Sequence, residues 1–311
     1  MTIQQSLFMV TAAGGGGLLL DTYTGAGAAY SMRLIRAAYA GSCLRVRRSS
    51  DNAEQDIGFS SGALDTASLL SFVGANSGFV RTWYDQSGAA LDAAQTTAAN
   101  QPQIVSSGSL ITRNSLPSMQ LDGSNDYLIS AAGVAMQSSR QISIATVIQS
   151  LRTSAGSEGI VCLDRTGYDY ETGAILERRS ATLAITGGNG TNANVSDVAN
   201  YRGANGSNSN ITALANIFSA MVGTGAGGQS IYADNSSISL SVYSGSMPIT
   251  NFMTTGTGSH LVILGSRSGN FAGTISDPFQ GYMSECVIWP MNQASNRSGI
   301  YTDQKTYFGT P

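Results

Sequence analysis

The sequence predicts an all-β jelly-roll sandwich with a few short peripheral helices. From about residue 100 onward, short apolar or alternating segments follow one another, separated by clusters of Gly, Asn and Ser. No long helical pattern lies between them, which favours a sandwich over a fold of alternating strands and helices. The 311 residues include 37 glycines. Since all-β sandwiches of ~200–250 residues often form one unit, we expect one large domain.

The individual strands of this part can be read from their spacing. The predicted strands are 118–122, 126–130, 142–149, 159–164, 174–178, 181–186, 212–222, 229–233, 238–243, 260–266 and 279–288. The segment 187–210, rich in Asn, Gly and Ser, is predicted to be a long loop at one end of the sandwich.

The N-terminal third and the C-terminus contribute a different set of elements. The pattern over 28–39 predicts a short helix, and residues 44–48 alternate apolar residues with arginine as in a strand. Asp65 is expected to cap a second short helix, and 79–84 reads as another strand. The segment 295–308 is predicted to be a helix, begun by Ser or Asn and ended by Gly.

Residues 1–25 are predicted to be an N-terminal extension, and residues 26–311 the sandwich domain. The extension carries a short apolar patch at 7–10 and a glycine run at 14–17. It reads as a docking segment that becomes ordered on a partner, with a disordered tail as the alternative. Neither an export signal nor a membrane span is predicted, because no apolar stretch approaches ~20 residues.

The charge pattern excludes one class of partner. Charged residues make up 11% of the chain, the net charge is −3, and Lys305 is the only lysine. Nucleic-acid binding usually requires a clear excess of basic residues, so none is expected.

Three cysteines occur, Cys43, Cys162 and Cys286, and none forms a close pair in the sequence. We expect three buried thiols in a protein assembled in a reducing cytoplasm. The alternative is one disulfide and one remaining thiol.

Two N-terminal motifs concentrate the charged and aromatic residues. Residues 45–59 read RVRRSSDNAEQDIGF, and residues 82–88 read TWYDQSG. The residues expected to form a charge-assisted network that fixes a loop to the sheet are Arg45, Arg47, Asp51, Glu54, Asp56 and, in the second motif, Ser87. The alternative is a carbohydrate-binding site at Trp83, Tyr84 and Asp85, since an aromatic face beside a carboxylate suits a sugar ring.

Together these motifs resemble the N-terminal half of the catalytic domain of family 54 glycoside hydrolases, the α-L-arabinofuranosidases. Later segments, MQLDGSNDY at 119–127 and LVILGS at 261–266, look like the jelly-roll part of that family. They are also similar to concanavalin A-like and laminin G-like sandwiches in general. The resemblance covers roughly residues 27–308 and implies a concanavalin A-like jelly roll. The same combination resembles proteins encoded by tailed bacteriophages.

The resemblance implies two catalytic carboxyl groups, which a retaining glycosidase places ~5–5.5 Å apart. An acid/base aspartate is implied shortly after the strand at 261–264, but residues 265–270 contain no carboxylate. Asp277 lies further along the chain. Glu177 is the only candidate nucleophile in the middle strands, and an ion pair with the following arginines explains it equally well. The cysteine pair that the family implies there is reduced to Cys162. We therefore expect no catalytic residue beyond the weak candidate Glu177.

Other site chemistry is weakly supported. His260, the only histidine, begins an apolar strand and is expected to be structural rather than part of a catalytic triad. Asp122 and Asp126 are expected to form a turn, with a calcium site as the alternative. No cofactor is expected.

These observations predict a structural or adhesive bacteriophage virion protein, such as a tail-fibre, tail-tip or capsid-attached module. It would act outside the host cell, bind host-surface glycan or other virion proteins, and form a homo-oligomer. The alternative is a glycoside hydrolase of the α-L-arabinofuranosidase type.

Overall fold

The structure is a computed structural model, and it describes residues 17–136, 141–152, 156–164, 174–179, 182–187, 199–203, 211–221, 229–244, 259–269 and 274–311. The helices are α1 (Leu19–Thr22), α2 (Thr66–Val73) and α3 (Arg297–Phe308), with short 3₁₀ turns at Ala98–Asn100 and Ala294–Asn296. The strands of the N-terminal part are β1 (Ala28–Ser31), β2 (Leu44–Arg48), β3 (Glu54–Ile57), β4 (Phe59–Ser60), β5 (Ala63–Leu64), β6 (Gly78–Trp83), β7 (Ala93–Ala94), β8 (Gln103–Ser106), β9 (Ser109–Leu110), β10 (Thr112–Arg113), β11 (Leu116–Pro117) and β12 (Met119–Asp122). The later strands are β13 (Leu128–Ala135), β14 (Ile142–Ser150), β15 (Ser157–Asp164), β16 (Ala174–Arg179), β17 (Thr182–Gly187), β18 (Ala199–Gly203), β19 (Ala215–Met221), β20 (Gln229–Ala233), β21 (Ser236–Ile238), β22 (Leu240–Ser244), β23 (Ser259–Leu264), β24 (Arg267–Gly269), β25 (Thr274–Ser276) and β26 (Gln280–Trp289).

The strands form two antiparallel layers joined at one side. In the first layer, β26 pairs with β1, β12 and β14, and β14 continues to β19, β20 and β21. In the second layer, the pairings run from β7 through β13, β23, β15, β16, β17 and β18 to β22. Strand β6 joins the layers, because it pairs with both β7 and β8. This arrangement is the predicted all-β sandwich.

The main core lies between the two layers. It contains Ile144 and Met283 from the first layer and Val161 and Leu264 from the second, all fully buried. The nine residues of β14 are apolar or small at almost every position, and eight of them are buried. This pattern is expected of a central strand that is covered on both faces.

Most of the predicted elements are confirmed. Each predicted strand beyond residue 100 overlaps an observed one, and both helices α2 and α3 form where the sequence predicted them. Asp65 caps α2 by accepting a hydrogen bond from the Ser68 N–H at 3.0 Å. Gly309 ends α3 in the left-handed conformation that glycine favours. At its beginning, Asn296 makes no side-chain cap, because a 3₁₀ turn leads into the helix.

The helix predicted over 28–39 is wrong. Residues 28–31 form β1, which pairs with β26 and is buried at all four positions. Short apolar runs satisfy helical and strand periodicity equally well, and here the tertiary pairing with β26 decides between them. The loop predicted over 187–210 is likewise interrupted by β18; its other residues, 188–198 and 204–210, lie outside the described part.

The predicted N-terminal extension packs on the sandwich from residue 19 onward. Leu19 and Leu20 in α1 are buried with Trp289 and Ile300 in a second apolar cluster. Residues 1–16, which include the predicted apolar patch, lie outside the described part, so the docking segment stays a prediction. Within the described part, no helix is long and apolar enough to cross a membrane.

The cysteines agree with the first of the two interpretations. Cys43, Cys162 and Cys286 are all buried free thiols. Burial raises the pKa of the Cys43 and Cys286 thiols well above the ordinary value, so neither is an activated nucleophile.

Candidate active site

Glu177 lies in the middle of the second layer, on strand β16. Its neighbours Ala174 and Leu176 face the main core, and side chains alternate along a strand, so Glu177 and Ile175 face the outer side. There Ile175 packs with Cys162 and Ile263. We call this the outer face of the second layer. Glu177 is fully buried on it, which is unusual for a glutamate and requires compensating contacts.

A hairpin places a cation and a second carboxylate beside Glu177. Strands β24 and β25 pair Arg267 with Ser276, and Asp277 follows immediately. Arg267 Nη1 lies 3.6 Å from Glu177 Oε2, and Arg267 Nη2 forms an ion pair with Asp277. The two carboxylates therefore contact one guanidinium group, although 100 positions of sequence separate them.

A glycine allows the hairpin to approach the sheet this closely. Gly159 is the register partner of Glu177 on β15. A Cβ at Gly159 would lie 2.3 Å from the Ser266 carbonyl carbon and 2.4 Å from the Arg267 nitrogen. Any larger residue would push the hairpin, and with it Arg267, away from Glu177.

The arginine that follows Glu177 in the sequence has a different partner. Arg178 Nη1 lies 3.2 Å from Glu158 Oε2, and Arg152 Nε lies 3.0 Å from Glu158 Oε1. Glu158 also accepts hydrogen bonds from Ser150 Oγ and the Gln280 N–H. Arg178 therefore pairs with Glu158.

The predicted sugar-binding residues Trp83, Tyr84 and Asp85 do not share one surface. Trp83 is fully buried against Tyr30, with ring centroids 5.8 Å apart. Its face is therefore not on the surface, where a sugar would stack. Asp85 is also buried and uses its carboxylate to accept hydrogen bonds from the Ala29, Ser87 and Leu91 N–H groups. Of the three, only Tyr84 is partly exposed.

The predicted charge network forms, but with different pairings. Arg45 donates to both oxygens of Asp56 at 2.8 and 2.9 Å, as a paired guanidinium and carboxylate should. Arg47 is held by neutral acceptors, Gln101 at 2.7 Å and Asn52 of the acidic loop at 2.9 Å. The remaining acidic residues pair with arginines that the prediction did not include, Asp51 with Arg48 and Glu54 with Arg81. Ser87 donates to Asp85 at 2.7 Å.

Asp122 and Asp126 form a turn in the structure. Asp126 accepts a hydrogen bond from the Asp122 N–H at 3.0 Å, and Asp122 accepts one from the Ser124 N–H at 2.7 Å. Burial, followed by repulsion from Asp122, raises the pKa of Asp126 to about 6. His260 is buried on β23 opposite Val134, as expected of a structural histidine.

Comparisons with known proteins show what this chain is similar to. Residues 20–172 match the family model of the catalytic domain of α-L-arabinofuranosidase B. An arabinofuranosidase complexed with arabinofuranosyl-α-1,2-xylobiose superposes with a TM-score of 0.55 at 16% identity, covering 89% of this chain and 62% of that one. A family 54 α-L-arabinofuranosidase soaked with a cyclic sulfate inhibitor gives 0.52 at 15% identity with the same coverages. A Glu-to-Gln variant of such an enzyme, soaked with 4-nitrophenyl α-L-arabinofuranoside, gives 0.53 at 16%.

The fold is therefore the all-β sandwich that the sequence predicted. Residues 20–172 match the family model and the described strands superpose on arabinofuranosidase structures, so the predicted resemblance to family 54 glycoside hydrolases is confirmed. The chain spans 62% of the length of these solved arabinofuranosidases. No curated protein sequence gives a significant match.

The prediction of a bacteriophage virion protein with virion partners is wrong. The matching family model describes a catalytic domain, and the solved structures above are arabinofuranosidases. The prediction rested on the lack of a carboxylate directly after β23; in the structure, the β24–β25 hairpin places Asp277 beside Arg267. The cue in the sequence was the short spacing between Arg267 and Asp277, which suits a hairpin. Calcium binding and extracellular action stay predictions.

Proposed function

We propose that this protein is a glycoside hydrolase that cleaves terminal α-L-arabinofuranosyl linkages, with Glu177 and Asp277 as its two carboxyl groups. One observation carries the proposal: both carboxylates contact the guanidinium group of Arg267 on the outer face of the second layer. A retaining glycosidase requires two carboxyl groups on either side of the scissile bond. The family match supports the arabinofuranoside as substrate.

The two carboxylates differ in burial, and the difference assigns their roles. The Glu177 side chain is fully buried on a central strand, whereas that of Asp277 is 29% exposed at the end of a hairpin. A rigidly held carboxylate suits the nucleophile, and one that faces the entrance suits the residue that exchanges protons with the leaving group and with water.

The reaction proceeds in two steps that conserve atoms and charge. Glu177 Oε attacks the anomeric carbon while the bond to the leaving oxygen breaks, and Asp277 gives its proton to that oxygen. Water then attacks the same carbon, transfers a proton to Asp277, and releases Glu177 and free arabinose. Arg267 must move away from at least one carboxylate for the sugar to enter between them.

The surroundings of Glu177 on the outer face are apolar. Cys162, Ile175 and Ile263 form an apolar cluster on the side of the sheet that Glu177 shares, with Tyr127 and Ile129 packed against it. Apolar side chains that surround a few polar groups are typical of small-ligand sites. The single Cys162 replaces the cysteine pair that the family resemblance implied.

Hydrolysis of 4-nitrophenyl α-L-arabinofuranoside tests the proposal. Glu177→Gln should lower kcat/KM by about 10⁴-fold, because the amide cannot form the glycosyl ester. Glu54→Gln is the matched control, since Glu54 is exposed and makes only a 3.7 Å contact with Arg81. Equal activity of the wild-type protein and Glu177→Gln, or a wild-type protein without activity on any arabinofuranoside, would overturn the proposal.

Covalent labelling identifies the nucleophile independently of the rate. A cyclic sulfate in the arabinofuranose configuration should add one sugar unit to the protein, and peptide mass mapping should place it on Glu177. Asp277→Asn should still be labelled, whereas Glu177→Gln should not. A label on any other carboxylate would contradict the assignment.

A further inference from the structure

An open cleft of about 390 Å³ lies in the N-terminal half of the sandwich. The polar and aromatic residues of its lining are Tyr39, Ser42, Asp56, Tyr84, Asp85 and Asp92. Its volume falls within the ~300–1,000 Å³ of small-ligand pockets. We call it the tyrosine cleft.

The tyrosine cleft is remote from Glu177. It lies where β6 ends, and the strand pairings lead from β6 through β7, β13, β23 and β15 to β16. Five steps of ~4.8 Å correspond to roughly 24 Å across the sheet. A ligand in this cleft therefore does not contact the two carboxylates of the proposed active site.

The lining presents acceptors and aromatic rings. The Tyr84 hydroxyl donates to Asp56 Oδ1 at 2.7 Å, and the Tyr39 hydroxyl donates to the Ser42 carbonyl at 2.7 Å. Both hydroxyl protons are thus engaged, and each oxygen is left to accept from a ligand. Ionised carboxylates also only accept. The cleft therefore favours a ligand with many O–H donors beside apolar C–H faces, which is the chemistry of a saccharide.

The charges of the lining argue against an anionic ligand. Arg45 already neutralises Asp56 through two hydrogen bonds. Asp92 accepts a hydrogen bond from the Asp85 N–H at 2.9 Å and adds a further carboxylate. Burial raises the pKa of Asp92, because no cation lies close enough to offset the loss of solvation. A neutral ligand avoids repulsion from this carboxylate.

The wall of the cleft is rigid before any ligand arrives. Asp85 fixes the loop after β6 by accepting from the backbone of Ala29 at 2.8 Å and of Leu91 at 3.0 Å. Gly88 has φ +92°, and a Cβ there would lie 2.0 Å from Arg36 Nη1, which donates to the Ser87 carbonyl. Such preorganisation lowers the entropy that binding must overcome. The TWYDQSG motif thus shapes the wall through Asp85 and Ser87, and contacts the ligand through Tyr84.

We propose that the tyrosine cleft binds a neutral oligosaccharide at a site separate from the one that contains Glu177. Tyr39 and Tyr84 stack against the sugar rings, and Asp92 with the tyrosine oxygens accepts their hydroxyl hydrogen bonds. Only the choice of probe rests on the proposed function. A soluble arabinoxylan offers a neutral polysaccharide backbone together with arabinofuranosyl branches.

Affinity electrophoresis in gels with soluble arabinoxylan tests the proposal. Every protein carries Glu177→Gln, so that no probe is hydrolysed. The additional double change Tyr84→Ala with Asp92→Asn should weaken retention at least tenfold, since stacking and a hydrogen-bond acceptor are both lost. Tyr84→Phe, which keeps the ring, should weaken it less. Tyr301→Ala on α3 removes a partly exposed tyrosine elsewhere and should leave retention unchanged.

The possible outcomes separate this proposal from the proposed function. Equal retention of the parent protein and the folded double variant would overturn the tyrosine cleft as a saccharide site. Retention of the protein by a polyamine matrix but not by arabinoxylan would also overturn the proposal, because the ligand would then be a cation. If the wild-type protein does not hydrolyse arabinofuranosides but the cleft variants lose retention, only the proposed function fails. If the double variant does not fold, retention of the single variants Tyr84→Phe and Asp92→Asn provides the test, since both substitutions keep the side-chain shape.

Discussion

Two fully buried glutamates in the same sandwich have very different surroundings. Glu285 on β26 accepts from Ser31 Oγ at 2.6 Å, from Arg33 Nε at 2.9 Å and from Gln304 Nε2 at 3.0 Å. Glu177 on β16 lies 3.6 Å from Arg267 Nη1, and Arg267 also pairs with Asp277. The Glu285 carboxylate has partners on β1 and on α3. The Glu177 carboxylate lies on the outer face of the second layer.

The difference shows how one fold accommodates buried charge for two purposes. Burying a carboxylate costs several kcal/mol unless hydrogen bonds and an opposite charge offset it. Around Glu285 the donors are close and numerous, so the residue ties β1, β26 and α3 together. Arg267, which contacts Glu177, comes from the β24–β25 hairpin and is shared with Asp277.

The largest expected effect concerns stability at Glu285. Glu285→Gln should lower the free energy of unfolding by about 3 kcal/mol, because Arg33 stays buried with only Asp303 to offset its charge. Glu177→Gln should lower it by less than Glu285→Gln does, because Arg267 keeps Asp277 as a counter-ion. Urea denaturation monitored by tryptophan fluorescence measures both. Similar losses for the two variants would break the comparison.

A smaller effect is expected for Asp126, a buried carboxylate. Burial and repulsion from Asp122 raise its pKa, without a contribution from a cation. Its folded pKa of about 6 lies above the value of the unfolded chain. Below that unfolded value both states hold the proton, and as pH rises towards 6 the unfolded state releases it first. Stability should therefore fall by about 2 kcal/mol between pH 4 and pH 7.

Asp126→Asn provides the control for this pH dependence, because the amide oxygen can still accept from the Asp122 N–H. The difference between the unfolding free energies of the two proteins should vary with pH, in favour of the variant at pH 7. A difference that stays constant from pH 4 to pH 7 would show that Asp126 does not titrate as a buried group.

The smallest effect is expected for a carboxylate that serves only local structure. Asp65 accepts from the Ser68 N–H at 3.0 Å and from Ser68 Oγ at 2.6 Å at the beginning of α2. Asp65→Ala should cost about 1 kcal/mol, as is usual for loss of an N-cap. Thermal unfolding measures this loss, and Asp65→Asn, which still accepts, should cost less. If Asp65→Ala leaves the unfolding temperature unchanged, packing of Leu69 and Val73 alone stabilises the helix.

Much of the fold could be predicted because its determinants are local. Alternation over short segments located the strands, Asp65 located the beginning of α2, and Gly309 located the end of α3. The error at residues 28–31 has a non-local cause. The run is compatible with either element, and pairing with β26, more than 250 positions away, selects the strand.

The candidate site was predictable only in part. Glu177 could be singled out as the one acidic residue of β16, where it follows three apolar residues. Its partner could not, because Asp277 becomes a neighbour only through the β24–β25 hairpin and the absence of a side chain at Gly159. The sugar-binding prediction shows the same limit, since Trp83 is buried against Tyr30 whereas Tyr84 and Asp85 line the cleft.

By itself, the sequence determined the all-β sandwich, the three buried thiols and the resemblance to the arabinofuranosidase catalytic domain. These follow from periodicity, composition and contiguous motifs, which a single chain displays without its three-dimensional context. The tertiary structure alone decided which carboxylate shares Arg267 with Glu177. It also decided which residues of the two motifs are buried and which line a cleft. Such relations depend on strand register and on the close approach of distant backbones, and no local pattern contains them.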